Sequence, residues 1–130
     1  MELQKKAQIL VDFINFCKKA LEIEKLPKIK FISDKNWVLG KRTFGEYSNQ
    51  TRSLVVYIKN RHILDVMRTL AHELTHHRQN ELSLLGRKSG ETGSPIEDEA
   101  HAIAGIIMRN YVKENPVSYT HLTLPTKRIV

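Results

Sequence analysis

From residue 3 to 25, apolar side chains recur at three- and four-residue steps: Leu3, Ala7, Leu10, Val11, Ile14, Cys17 and Leu21, with lysines opposite. That spacing predicts a long amphipathic helix. Leu26-Pro27 closes it, because proline disfavours the helical conformation in the residue before it. Residues 28–32 alternate lysine with bulk, which predicts a half-buried strand, and Ser33 to Asn36 has loop chemistry. Residues 36–41, with Trp37 and Gly40, fit no single element. Residues 43–47 and 53–58 read as two further strands, joined by a hairpin turn over residues 48–52. Gly45 inside the first of these implies a bulge or a close backbone approach, as at a cleft. Helical spacing returns from about residue 62 to 82, with Ile63, Met67, Leu70 and Leu74 as its core stripe. Residues 83–94 are rich in Gly, Ser and charge, an irregular connection. Ser94-Pro95 then starts a last helix, serine at the cap and proline in the first turn, which Ile96, Ala100, Ile103, Ala104, Ile107, Met108 and Tyr111 continue to about Lys113.

The order is helix, three short strands, helix, loop, helix. It predicts an α+β fold with a small, mostly antiparallel three-stranded sheet. At 130 residues the chain can form one modest core. Its composition, 41% hydrophobic and 27% charged, is that of a globular domain. No apolar run approaches the roughly 20 residues of a membrane span, and the first six residues lack a signal-peptide pattern. Cys17 is the single cysteine. It reads as a small buried hydrophobe in a reducing compartment, so a cytoplasmic setting is expected.

Residues 117–130 continue no periodicity and resemble the translation of a transposase-end sequencing adapter. The expected domain is therefore 1–116, followed by a non-native tail. Without Lys127 and Arg128 the net charge falls from +7 to +5. That mildly basic balance fits solubility, and neither a specific nucleic-acid partner nor a membrane is expected.

His72-Glu73-Leu74-Thr75-His76 spells H-E-x-x-H inside the second long helix. Residues four apart on a helix differ by about 40° of rotation, so His72 and His76 share a face. Two such imidazoles can bind one Zn²⁺, and Glu73 has the reach to act as the general base. A catalytic zinc takes three protein ligands, so a third must come from elsewhere. Candidates are Glu97, Asp98, Glu99 and His101 on the last helix. Glu97 is favoured, although Ser94-Pro95-Ile96-Glu97 also fits a capping box. Asp98 and Glu99 suit the helix dipole. His77 points about 100° from His76 and reads as a surface residue or a support for a ligand. His101 could orient a ligand imidazole, and Arg68 could hold an anion in the cleft.

The two blocks 68–77 and 93–105 resemble small gluzincin-type zinc metallopeptidases, closest to short phage-associated ones with an E-x-E-A segment. The resemblance implies a zincin-like fold, peptide hydrolysis with peptide or protein as substrate, and a substrate lying along an edge strand. It carries the zinc ligand role to Glu97. Such enzymes often place an aspartate four residues after that glutamate to support a ligand histidine, where this chain has His101. Other classes share parts of the pattern: a DNA-associated protease, a repressor-cleaving regulatory protease, and a domain that zinc merely staples. Glu73 argues against the last, since a structural site has no use for it.

Overall fold

In a computed structural model, which describes residues 2–84 and 94–115, the chain runs α1 (Glu2–Leu21), β1 (Lys28–Ile32), α2 (Lys35–Lys41), β2 (Gly45–Ser48), β3 (Ser53–Tyr57), α3 (Ile63–Glu81) and α4 (Pro95–Glu114). The α+β class follows. The expected tail at 117–130 and most of the expected loop at 83–94 lie outside the described residues.

The sheet is mixed, in the order β1-β3-β2. β2 and β3 form the expected hairpin, antiparallel, with Gly45 opposite Val56 and Ser48 opposite Ser53. β1 pairs parallel with β3, Lys28 opposite Ser53 and Ile32 opposite Tyr57, where a mostly antiparallel sheet was the expectation. The reason is the crossover. α2 and β2 together carry the chain back to the starting end of β1, as a parallel pair requires. The Lys28 N–H donates to Arg52 O at 3.1 Å, fastening the hairpin turn to the start of β1.

The ends of α1 and α3, like that of α2, are set by left-handed residues rather than by proline. α1 stops at Leu21, four residues earlier than its hydrophobic pattern suggests. Glu22 takes φ 57°, and the N–H groups of Glu22 and Ile23 return to Lys19 O and Lys18 O. This is a Schellman cap without glycine, and Ile23 just beyond it is buried. α3 ends the same way, with Ser83 at φ 60° and Leu84 N–H donating to Gln79 O.

α3 is the hub of the core. Its residues Ile63, Val66, Met67, Leu70, Ala71 and Leu74 have no exposed surface. Against them lie Phe13 and Cys17 of α1, Leu54 and Val56 of β3, and Ala104, Ile107, Met108 and Tyr111 of α4. Tyr111 meets Phe13 and Phe16 edge-on at 5.0 and 5.2 Å. Full burial of each Val, Leu, Ile, Met or Phe among these is worth about 1.5–3 kcal/mol against exposure. The inward face of α1 is Ile9, Leu10, Phe13 and Cys17, so Val11, placed on the stripe by spacing alone, is half exposed. α2 buries none of its residues and is held by its ends, Asp34 accepting from Asn36 N–H at 2.9 Å and Arg42 in the left-handed region.

Candidate metal centre

His62 caps α3, its Nδ1 accepting from Leu64 N–H at 3.1 Å. From there the helical spacing puts His72 and His76 side by side, their Nε2 atoms 3.2 Å apart. α4 is capped by Ser94, whose hydroxyl accepts from Glu97 N–H at 3.1 Å. The backbone half of the expected capping box is therefore formed. The Glu97 carboxylate, however, turns to α3. One oxygen meets His72 Nε2, and the other lies 3.4 Å from His76 Nε2. Donor atoms of His72, His76 and Glu97 all lie within 4.8 Å of one another, so the group could hold a metal ion. Two imidazole nitrogens and one carboxylate oxygen are also a donor set that suits zinc chemically.

Burial, reinforced by His76 beside it, lowers His72 below the usual histidine range, against the pull of Glu97. A neutral imidazole is the form that offers a lone pair. His76 is oriented from behind, its Nδ1 2.8 Å from Gln79 Oε1. Gln79 is itself buried and donates to Glu99 Oε1 at 2.8 Å and to Ile96 O at 3.1 Å. Glu99 thus has a definite partner across the helix pair, beyond any part in the helix dipole.

Glu73 stands apart from the cluster. It is 7% exposed and lines a cleft of about 1030 Å³ with His72, His76, Glu97, Arg68 and the β2 residues Gly45 to Tyr47. Burial, then the Glu97 and Glu46 charges, push its carboxyl up to about 8. Gly45 makes room for it. A β-carbon there would lie 3.1 Å from Glu73 Oε2 and 2.5 Å from Thr69 Cγ2, so the close approach inferred for this glycine is present.

The remaining candidates separate. His101 sits on the rim, its side chain 70% exposed, its Nε2 3.6 Å from Glu97 Oε1 and its ring packed against that of His72 at 4.4 Å between centroids, a ring contact with one ligand candidate. Arg68 lines the cleft and has no ion-pair partner among the described residues. Arg61, which drew no attention in the sequence, donates to Tyr57 O and Thr69 Oγ1 and lies 4.3 Å over the Phe44 ring. His77 is neither a surface residue nor a support of the metal group. It is 1% exposed, with Nδ1 2.8 Å from Tyr47 Oη and Nε2 2.6 Å from Lys25 O. Gln79 was missed, and its position three residues after His76 on one helix was the available signal. No protein-family model, curated protein or solved structure matches this chain.

Proposed function

We propose that the protein is a zinc-dependent peptidase in which His72, His76 and Glu97 hold the ion and Glu73 is the general base. One observation carries this reading. Three donor atoms converge within 4.8 Å, while the carboxylate next to a histidine in sequence stays outside them and faces the cleft. A purely structural zinc would call for a fourth ligand. His77, the next histidine along the chain, is occupied by Tyr47 and Lys25.

When bound, zinc supplies a Lewis acid that polarises a carbonyl and acidifies water. Glu73 takes a proton from the attacking water and gives it to the leaving amine. The substrate is a peptide or protein segment that lies along β2. β3 is paired on both sides and cannot take another strand, whereas β2 lines the cleft and, among the described residues, is an edge. Across the hairpin Phe44 O accepts from Tyr57 N–H at 2.8 Å. By the alternation of an antiparallel ladder, the backbone groups of Tyr47 therefore point away from β3, toward an added strand.

The test is turnover of quenched fluorescent peptides by wild type and Glu73→Gln. Loss of general-base catalysis lowers the rate by at least about 10²-fold. Equal turnover in the two proteins would refute the role.

A further inference from the structure

We propose that Gln79 is a positioning residue of the metal centre: its one amide selects the nitrogen His76 presents and clasps the Glu97 helix onto the histidine helix. The inference rests on the metal reading above, and its test separates the two.

The hydrogen bonds leave a single arrangement. Ile96 O can only accept, so the amide nitrogen of Gln79 faces it, at 3.1 Å. The second hydrogen on that nitrogen goes to Glu99 Oε1 at 2.8 Å. Gln79 Oε1 is then the atom 2.8 Å from His76 Nδ1. An amide oxygen cannot donate, so Nδ1 carries the ring hydrogen and Nε2 keeps its lone pair. That lone pair points into the group, 3.2 Å from His72 Nε2 and 3.4 Å from Glu97 Oε2.

The same amide fixes where Glu97 stands. Its two acceptors bracket that residue, Ile96 one position before and Glu99 two after. Gln79 is 2% exposed, so a lost partner is not readily replaced by water. The Glu99 carboxylate makes its bond charge-assisted, the stronger kind. Among the described residues no hydrogen bond of this kind serves His72, whose buried Nδ1 has no partner there. Of the two histidines in the group, His76 is the one whose ring is fixed by a hydrogen bond from behind.

Two readouts on the full chain test this. Zinc affinity is measured by competition with a chromophoric chelator. The His76 tautomer is read in the metal-free protein from long-range ¹H–¹⁵N correlations. Wild type should show the Nδ1–H form. Gln79→Leu should lose that preference and bind zinc about 10- to 100-fold more weakly. Gln79→Glu should also be weak, because two carboxylates would face each other. Adding Glu99→Gln to it restores a donor–acceptor pair between residues 79 and 99 but leaves Ile96 O facing a carboxylate oxygen, so affinity should come part of the way back to wild type. A merely structural role would shift thermal stability in all three variants without moving the tautomer.

A folded Gln79→Leu with wild-type zinc affinity, or a double variant no better than Gln79→Glu, would overturn the proposal. If Gln79→Leu does not fold, the comparison of Gln79→Glu with the double variant decides alone. A wild type that takes up no zinc refutes the metal reading instead. The tautomer then decides the clasp: Nδ1–H in wild type supports it, and Nε2–H overturns it.

Discussion

Gly45 lies against Glu73 so closely that a β-carbon on the glycine would sit 3.1 Å from the glutamate Oε2 and 2.5 Å from Thr69 Cγ2. Thr69 cannot easily turn aside, because its hydroxyl donates to Asp65 O and accepts from Arg61. Gly45→Ala should therefore destabilise the fold by about 1–3 kcal/mol, as overpacking does. Thr69→Ser keeps the hydroxyl and removes the obstructing methyl. The pair of substitutions, followed by urea unfolding, should recover much of that loss. Simple additivity would show that the methyl is not the obstacle.

Glu81 anchors the chain after α1, accepting from the N–H groups of Glu24 at 3.2 Å and Lys25 at 3.0 Å. Burial raises its carboxyl, but those two bonds, Arg78 and His77 outweigh it and the net shift is downward. A carboxylate with a lowered folded value adds stability above its unfolded value, and loses it as pH falls through the folded one. Wild type should therefore exceed Glu81→Gln in stability at pH 7. The gap should close as the pH drops below the ordinary glutamate range. A gap that stays constant down to pH 3 would contradict the assignment.

His77 is a polar staple, not a ligand. Its two nitrogens join α3 to β2 and to the loop before β1, through Tyr47 and Lys25. His77→Ala should cost about 1–3 kcal/mol for the stranded partners alone, with zinc content unchanged. Tyr47→Phe, which removes the hydroxyl shared with Asn80 and His77, should cost about 1 kcal/mol. Loss of metal from a folded His77→Ala would show that His77 belongs to the centre.

Cys17 should be inert. It has no exposed surface, and burial pushes its thiol well above the usual range. A thiol reagent should modify it only at the rate of unfolding, and faster in urea. Rapid labelling of the native chain would place α1 elsewhere.

Which of these features the sequence disclosed depends on how local their causes are. α3 and α4 were legible because each has an apolar stripe, and α4 has the Ser94-Pro95 start as well. His72 and His76 were legible for the same reason, being partners within one helix. α2 has no stripe, since none of its residues is buried, and only Asp34 marked its start. The parallel pairing of β1 with β3 depends on a crossover that periodicity does not encode. His77 looked like a surface residue because its partners come from 30 and 52 positions away. Gln79 stands three residues after His76 in plain view, but its bonds to α4 were hidden for a related reason. A buried glutamine is indistinguishable from an exposed one until the partners on α4 are known.

The most direct test is the zinc content per chain, by elemental mass spectrometry, of wild type, Glu73→Gln and Glu97→Gln after identical dialysis. The expected result is one zinc in wild type and in Glu73→Gln, and almost none in Glu97→Gln. Wild type without zinc, or metal lost from Glu73→Gln and kept by Glu97→Gln, would contradict the assignment of His72, His76 and Glu97 as ligands and Glu73 as base.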